Sequence, residues 1–273
     1  MRTLPMTQIG AYSVSRLLCG TNSFFGHSHF SAARSTWLRK YFTLDRIVEV
    51  MCAAAEEGVN GTISADVPEM AEAIARVKQL TGVEYVWMAT PGGANLEELK
   101  AGIQRCADMG AQFCLPHVSY TDNHLNIARR EIDGAEEIIA MTRELGMGTG
   151  WSTHRPETIV TSDAAGYDAD TYVQPFNSIG FLCSVETDWV ASVIRNAHKP
   201  VVCIKPLGAG RIMPPTGLPF VYGNCKPNDT VAIGVLSVEE LQEDIKIVRN
   251  VLEHADEQIA LQETRSKAGL RVK

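Results

Sequence analysis

One unit recurs along the whole chain: a short apolar run, a polar residue at its C-terminal end, and then an amphipathic helical stretch. Eight such runs occur, at 17–21, 59–64, 85–90, 113–117, 148–152, 172–176, 201–205 and 231–235. Helical patterns lie between them, at 44–57, 68–80, 96–109, 134–145, 156–164, 188–197 and 238–252. Alternating strands and helices specify a parallel sheet, and eight units favour its closure over an open sheet. The sequence therefore predicts an α/β fold, a (β/α)8 TIM barrel.

The length of the chain fits one such barrel. Its 273 residues are close to the roughly 250 that are typical of a (β/α)8 domain, so we predict a single domain over 1–273. Gly and Pro residues after the seventh strand predict an irregular segment over 206–229, with one short helix near 218–222. The long first loop, 22–42, is a candidate lid or a candidate subunit contact.

Two helix starts carry a recognisable signal. Asn95 with Glu98, and Ser237 with Glu240, have the spacing of a capping box, in which each side chain satisfies a free backbone N–H. These pairs predict that helices begin just after Asn95 and just after Ser237.

Charge and hydropathy exclude several classes of protein. The net charge is −7 and the pI is about 5.5, and no Lys/Arg-rich run interrupts this acidic balance, so we expect no nucleic-acid partner. No stretch of about 18 apolar residues occurs, so we expect no membrane partner. The seven cysteines form no CxxC pair, which favours reduced thiols and a cytoplasmic protein.

Polar residues follow the apolar runs where the strands end. In a parallel barrel the C-terminal ends of all strands converge at one mouth, which is where barrel enzymes bind their substrates. The residues at these ends are Asn22, Thr90, His117, Ser152, Thr153, His154, Gln174, Asn177 and Lys205. The sequence therefore predicts which side chains surround the active site.

Two histidines are the first candidates for catalysis. His117 follows the fourth strand and His154 follows the fifth, and neighbouring strands are only ~5 Å apart. Either imidazole can serve as an acid, a base or a ligand near neutral pH. The alternatives are a hydrogen bond from His117 to a neighbouring loop and a helix-capping role for His154.

The first loop adds His27 and His29, two residues apart. If this loop folds over the mouth, His27, His29, His117 and His154 converge, with Asp66 or Glu69 as a further ligand. Such a set suits a divalent metal, either zinc, manganese or iron. The alternative is that the two loop histidines belong to a surface or a lid.

The seventh strand ends at Lys205, which favours either of two kinds of chemistry. A desolvated lysine at a barrel mouth can form a Schiff base, whereas a charged one binds a polar or phosphorylated substrate. Gly208, Gly210 and Arg211 follow Lys205 in the sequence. The helix that begins after Ser237 follows the eighth strand, which neighbours the seventh in the barrel. The loops after strands seven and eight of a barrel often bind phosphate through backbone N–H groups, so these four residues are candidate phosphate or cofactor contacts.

Several stretches resemble the aldo/keto reductase superfamily, among them VSRLLCGTNSFFG, AQFCLPHVSYTD and KPLGAGRI. The resemblance implies a carbonyl reductase with a nicotinamide cofactor and an Asp, Tyr, Lys and His tetrad. Only the His is present, as His117, because Ile63, Pro68 and Pro91 stand where the resemblance places the other three. Without the Tyr no phenol can protonate an alkoxide, so we expect that the ordinary reductase mechanism does not operate. The loop GTNSFFGHSHFS also resembles a poorly characterised group of bacterial barrels that lack the tetrad.

The same resemblance bears on the cofactor. It implies that Ser152, Thr153 and Gln174 hold the carboxamide of a nicotinamide. It also implies a basic residue near Ser237 for the 2′-phosphate of NADP(H), where this chain has Glu239 and Glu240. Two carboxylates repel a phosphate, so NADP(H) is disfavoured, while NAD(H), a divalent metal or no cofactor stay open.

Three functions are therefore open. The leading hypothesis is an enzyme that acts on a small polar carbonyl or polyol compound, such as a sugar, by acid/base chemistry of isomerase or lyase type. His117 would be central, supported by His154, Lys205 and Asp66, and in one form of this hypothesis the substrate is phosphorylated. The first alternative is an NAD(P)-dependent oxidoreductase with a different proton donor, for which Tyr120 is the nearest phenol in sequence. The second is a ligand-binding barrel without catalysis.

Overall fold

The computed structural model describes residues 4–255, 257–259, 261, 264–265 and 267. Its strands are β1 (Met6–Ile9), β2 (Tyr12–Ser15), β3 (Leu17–Gly20), β4 (Gly61–Ser64), β5 (Val86–Ala89), β6 (Phe113–Cys114), β7 (Leu125–Asn126), β8 (Glu131–Ile132), β9 (Gly148–Ser152), β10 (Thr171–Pro175), β11 (Val201–Ile204) and β12 (Thr230–Ile233). Its helices are α1 (Ala32–Tyr41), α2 (Leu44–Glu56), α3 (Pro68–Thr81), α4 (Leu96–Asp108), α5 (Val118–Thr121), α6 (Ala135–Glu144), α7 (Glu157–Ala165), α8 (Thr187–Asn196), α9 (Pro214–Asn224) and α10 (Val238–Glu253).

Eight of the strands form a closed, all-parallel barrel in the order β3-β4-β5-β6-β9-β10-β11-β12. The barrel closes where β12 pairs with β3, with Val231 beside Leu17. The predicted (β/α)8 TIM barrel is therefore confirmed. The prediction of one domain over 1–273 includes 1–3 and most residues after 255, which lie outside the described part of the chain, and it stays a prediction.

Apolar side chains fill the barrel interior. Leu18, Met88, Leu115 and Val202 belong to one buried cluster inside the barrel, together with Val14 from β2. The β1–β2 hairpin thus closes the end of the barrel opposite the mouth, because its own apolar residues pack against the interior. The sequence analysis missed this hairpin. The hairpin does not cover the other end, where the strands have their C-terminal ends.

The two predicted helix starts are present as capping boxes. The Asn95 side chain accepts a hydrogen bond from the Glu98 N–H (3.0 Å), and the Ser237 hydroxyl accepts one from the Glu240 N–H (3.2 Å). Each cap satisfies a backbone donor that would otherwise be free at the helix start. In the described residues, no helix combines the length and apolar character needed to cross a bilayer.

The two segments predicted to be irregular each contain a helix. Within 22–42, Ser31 caps α1 by accepting a hydrogen bond from the Arg34 N–H (3.1 Å). Within 206–229, α9 is longer than the short helix predicted at 218–222 and begins at Pro214, whose missing N–H has no cost in the first turn. Both segments are therefore more ordered than the prediction of loops implied.

Gly150 has no room for a side chain, which leads to a testable prediction. A Cβ at this position would lie 1.9 Å from the Thr171 carbonyl oxygen on the adjacent strand. We expect Gly150→Ala to lower the free energy of unfolding by about 3 kcal/mol, because backbone on both sides must move. Gly223→Ala on α9 is the matched control, since its Cβ would meet nothing within 4 Å. Urea denaturation should show an unchanged or slightly more stable Gly223→Ala, and equal effects for the two variants would contradict the prediction.

Candidate active site at the barrel mouth

The mouth brings together three of the predicted catalytic residues. His117 follows β6, His154 follows β9 and Lys205 follows β11. The charge of Lys205 lowers the pKa of both imidazoles, and His117 also lowers the pKa of His154. Interactions of this kind require the groups to be close together in a region with little water. The structure therefore places an amine beside two imidazoles.

A neighbouring backbone group fixes the tautomer of His117. The Ser119 N–H donates a hydrogen bond to His117 Nδ1 (3.2 Å), and the Ser119 hydroxyl lies 3.0 Å from the same nitrogen. A backbone N–H can only donate, so Nδ1 is the acceptor and the proton of the neutral ring lies on Nε2. Partial burial and the charges of His27 and Lys205 lower the pKa of His117, although Asp66 opposes them. At neutral pH His117 therefore offers an N–H donor, not a cation.

We expect ¹⁵N NMR of histidine-labelled protein to show His117 as the Nε2–H tautomer, with a titration midpoint below 6.5, its ordinary value. Ser119→Ala should keep this tautomer, because the backbone N–H that holds Nδ1 remains. His117→Gln serves to assign the resonance. A proton on Nδ1 in the wild-type protein at pH 7.5 would contradict the assignment.

His154 is also a neutral imidazole near pH 7. Burial is the main cause that lowers its pKa to about 4, and the charges of Lys205, His117 and His29 add to it. Its backbone N–H donates to Asp122 Oδ2 (3.1 Å), whereas its ring makes no hydrogen bond to the described residues. The ring is thus free to exchange a proton with a substrate.

Asp66 is not a free base, in contrast to its predicted catalytic role. Its Oδ2 accepts hydrogen bonds from Arg105 Nε (3.0 Å) and Nη2 (2.7 Å). This ion pair holds the Asp66 carboxylate against α4, the helix that carries Arg105. Asp66 still acts on the site from a distance by raising the pKa of His117.

The predicted metal site at His27, His29, His117 and His154 is not formed. Among the described residues, no group of three or more His, Cys, Asp or Glu side chains is arranged to hold a metal ion. Two ring nitrogens are engaged, since Nδ1 of His117 accepts from Ser119 and Nε2 of His29 contacts Asn22 (3.5 Å). Lys205 and Arg211 also place positive charge beside His29, and such charge repels a divalent cation.

Asp122, which the sequence analysis did not single out, organises the end of β9. It accepts hydrogen bonds from the Thr153 hydroxyl and from the His154 N–H. Thr153 is fully buried, and its hydroxyl also contacts Thr158 (2.9 Å), so it is committed to structure instead of a cofactor. Ser152 is free by comparison, because its hydroxyl makes no hydrogen bond to the described residues. The spacing of Asp122, five residues after His117, is the signal that could have drawn attention to it.

Two other strand-end residues are buried, and Gln174 faces away from the mouth. Gln174 pairs in register with Cys203, whose side chain lies in the outer core between barrel and helices, and Gln174 is 0% exposed. Its Oε1 has no hydrogen-bond partner among the described residues. The Asn177 side chain is engaged within its own loop. It accepts a hydrogen bond from the Phe181 N–H (2.8 Å) and donates one to the Phe181 carbonyl (3.0 Å). A nicotinamide carboxamide would suit the free Oε1 of Gln174 chemically, but Gln174 and Thr153 are both sealed from the mouth.

The predicted phosphate contacts are also occupied. The N–H groups of Gly208, Gly210 and Arg211 donate to carbonyls of Lys205 and Leu207, which makes a compact turn. At the start of α10 the Ser237 hydroxyl accepts from Glu240, and the Glu240 carboxylate accepts from the Leu236 N–H (2.8 Å). The Glu240 carboxylate therefore already occupies the start of this helix, and these backbone N–H groups do not form an open phosphate site.

Arg211 instead links three loops. Its guanidinium carbon lies 4.2 Å from the centroid of the Phe181 ring and 5.7 Å from that of Phe30. It also donates to the carbonyls of Gly208 (3.0 Å) and His29 (3.1 Å). The loops after β3, β10 and β11 are thereby held together over one side of the mouth.

Tyr120 does not reach the mouth. It is 1% exposed, stacks on His124 with ring centroids 4.0 Å apart, and donates its hydroxyl proton to the Asp133 carbonyl (3.0 Å). The prediction that it replaces the missing tetrad Tyr as proton donor is wrong, because the phenol is turned into the helical layer.

Comparison with solved structures identifies the type of barrel. No protein-family model matches the sequence, and no curated protein matches it. A protein of Pseudomonas aeruginosa that is assigned to the aldo-keto reductases is similar with a TM-score of 0.67 and 15% identity, over 92% of this chain and 98% of that one. A variant of Gox0644 in complex with NADPH is similar with a TM-score of 0.61 and 10% identity, over 98% of this chain and 99% of that one. The chain has the aldo-keto reductase fold.

Other barrels are less similar, such as a dihydrodipicolinate synthase with a TM-score of 0.50 and 16% identity, over 79% of this chain and 72% of that one. The fold is thus similar to that of these aldo-keto reductases, whereas the Asp, Tyr and Lys that the resemblance implies are absent. Ile63 lies in β4, Pro68 begins α3 and Pro91 follows β5, and none of these side chains can transfer a proton. At the mouth, the groups able to transfer a proton include His117, His154 and Lys205.

Proposed function

We propose that the protein is an enzyme that acts on a small polar carbonyl or polyol compound by acid/base chemistry of isomerase or lyase type. One observation carries the proposal: two neutral imidazoles, His117 and His154, share the mouth with an amine, Lys205, whose pKa burial lowers to about 8. Neutral imidazoles can accept or donate a hydrogen, and a group that titrates near neutral pH, such as Lys205, suits acid/base catalysis.

We propose a different role for each of the three groups. The Nε2–H of His117 can donate a hydrogen bond to the carbonyl oxygen of a substrate and stabilise the negative charge that develops there. The ring of His154 can remove a proton from the carbon next to the carbonyl. His154 can return this proton afterwards, and the charge of Lys205, which is mostly protonated at pH 7, can stabilise the negative charge on the substrate. Together these steps interconvert a ketone and an enediol, as isomerisation and carbon–carbon cleavage both require.

The test is proton exchange, since it needs no knowledge of the product. Dihydroxyacetone, erythrulose and pyruvate are incubated with the protein in D₂O, and ¹H NMR follows deuterium entering next to the carbonyl. We expect exchange above the uncatalysed rate, reduced on the order of 100-fold in His117→Ala. His198→Ala is the matched control, because His198 is exposed at the opposite end of the barrel, just before β11. Absence of exchange with all three compounds would count against the proposal.

A second candidate is an NAD-dependent oxidoreductase, which the unpartnered Oε1 of Gln174 favours. A buried acceptor without a donor suits the amide N–H of a nicotinamide. Ser152 would hold that carboxamide together with Gln174, whose side chain would first have to turn from the outer core to the mouth, and the cofactor would supply a hydride. Against this candidate stand the burial of Gln174 and the engagement of Thr153. The acidic start of α10, with Glu239 and Glu240, disfavours the 2′-phosphate of NADP(H) but does not act against NAD(H). Fluorescence titration with NADH and NADPH decides, since micromolar binding of NADH that Gln174→Leu abolishes would replace the first proposal.

A further inference from the structure

Lys205 differs from Lys226 and Arg249, two other cations that are withdrawn from solvent. Lys226 Nζ lies 3.0 Å from Asp229 Oδ1 and 2.6 Å from the Ile194 carbonyl oxygen, and Arg249 Nη2 lies 2.6 Å from Glu57 Oε2. Lys205 is partly buried as well, yet its Nζ makes no hydrogen bond or ion pair with the described residues. A withdrawn charge without a partner is costly, so an unpaired amine calls for a reason other than stability.

The backbone of Lys205 is strained. Its φ is +61°, in the left-handed region that residues with a side chain rarely adopt. Pro206 follows, and a proline restricts the preceding residue to extended conformations, so this position is doubly unfavourable. In β11 successive side chains point alternately into the barrel and out of it, and Val202 and Ile204 face the interior. The left-handed conformation of Lys205 ends this alternation. Strain of this kind is concentrated at functional sites, where it directs a side chain to a particular place.

The surroundings of the amine are polar but hold no carboxylate that acts on it. Its charge lowers the pKa of His29, His117 and His154, which places it on the mouth side of the strand. Burial is the one cause that lowers the pKa of Lys205 itself, to about 8. About a tenth of the molecules therefore carry the neutral, nucleophilic amine at pH 7.

We infer that Lys205 is a covalent nucleophile, which forms a Schiff base with the carbonyl carbon of a small ketone or aldehyde. The inference rests on the proposed function, because the substrate and the mouth are the same. It assigns the class of substrate more narrowly, as compounds that present a free, unhindered carbonyl group.

The steps balance without a redox partner. The lone pair of neutral Lys205 Nζ adds to the carbonyl carbon, and the C=O π electrons move to the oxygen, which is hydrogen-bonded to His117 Nε2–H. The new ammonium group gives one proton to this oxygen through water, which leaves a carbinolamine with a free nitrogen lone pair and a hydroxyl. That lone pair then forms the C=N bond while the hydroxyl takes one proton from solvent and leaves as one water molecule. The product is a protonated imine, whose positive charge acidifies the neighbouring C–H so that His154 can remove that proton.

Reductive trapping tests the inference. The wild-type protein is incubated with dihydroxyacetone, pyruvate or erythrulose at pH 7.5, sodium borohydride is added, and peptides are analysed by mass spectrometry. We expect the Lys205 peptide to gain the mass of the ketone minus one oxygen. Its yield should exceed that on surface lysines on the order of 100-fold, which is the ratio of neutral amine at this pH. Lys226 is the internal control and should stay unmodified, because Asp229 holds its ammonium group.

Two variants separate this inference from the proposed function. Lys205→Arg keeps the positive charge but removes the nucleophilic amine, whereas Lys205→Met keeps the approximate shape of the side chain. If one variant does not fold, the other still allows the exchange measurement. Trapping on Lys205 together with loss of deuterium exchange in Lys205→Arg supports both ideas. Deuterium exchange that survives in Lys205→Arg overturns the Schiff base and leaves the acid/base enzyme standing. Trapping without exchange supports the nucleophile and contradicts the isomerase or lyase, while no adduct with any of the three ketones overturns the inference.

Discussion

Lys205→Met is expected to raise the free energy of unfolding at pH 7 by about 2 kcal/mol, because it removes a partly buried charge that has no partner. The pKa of Lys205 is about 8 in the folded protein against an ordinary value of 10.5. Below pH 8 both the folded and the unfolded chain carry the charge, so the wild type bears the whole destabilisation. Between pH 8 and 10.5 the unfolded chain binds more protons than the folded one, so wild-type stability rises with pH. The advantage of the variant should therefore fade over this window.

Lys226→Met is the matched control, with the opposite sign. Asp229 is 0% exposed and would lose the cation that neutralises it, although it would keep the hydrogen bonds from the N–H groups of Val201 (2.8 Å) and Lys226 (2.6 Å). We expect a loss of about 3 kcal/mol, as is usual when one partner of a buried pair is removed. Urea denaturation at pH 7 and pH 10 measures both variants. A Lys205→Met protein that is less stable than the wild type at pH 7 would show that the amine has a stabilising contact.

Asp244→Asn is expected to give the second large effect, a gain of about 3 kcal/mol in the free energy of unfolding at pH 8. Asp244 lies on α10, is 3% exposed, and makes no hydrogen bond or ion pair with the described residues. Burial, followed by the charges of Glu240 and Glu243, raises its pKa to about 8. The folded protein therefore prefers the neutral acid, which asparagine imitates in shape and charge.

The pH dependence of this gain follows from linkage. Below about pH 4 the carboxyl is neutral in both states, and the variant should gain nothing. As the pH rises from 4 to 8 the unfolded chain ionises while the folded chain holds its proton, so the wild type loses stability progressively. Glu243→Gln, at an exposed position on the same helix, should change stability by less than about 0.5 kcal/mol. Urea denaturation should give the wild type and Asp244→Asn equal free energies of unfolding at pH 4 and a difference that grows at pH 6 and pH 8. The same difference at all three pH values would contradict the raised pKa of Asp244.

Much of the fold could be predicted because hydrophobic periodicity determines which segments become barrel strands and covering helices. The prediction of a helix over 96–109 agrees with α4, Leu96–Asp108, since an apolar stripe and a capping box mark it. Helix α1 carried no such mark, because Leu38 is its one buried residue and it has no apolar stripe. The β1–β2 hairpin was missed for a related reason, because its strands, MTQI and YSVS, contain no run of apolar residues.

The site could be predicted in position but not in detail. The rule that strand ends meet at one mouth places His117, His154 and Lys205 correctly along the barrel axis. It does not determine toward which side a tip residue points, and Gln174 turned outward because Val173 beside it faces the interior. Nor does it reveal local partners such as the Phe181 backbone, which engages Asn177. Those contacts depend on loop conformations that no periodicity encodes.

The position of Arg211 between Phe30 and Phe181 has a consequence for anyone who redesigns this barrel. Barrel engineering commonly treats each loop as an independent cassette that can be exchanged for another. Here the loops after β3, β10 and β11 all contact the Arg211 guanidinium. A new loop at any of the three positions would therefore lack the contacts that the original loop makes with the other two. A working transplant has to move all three loops as a set.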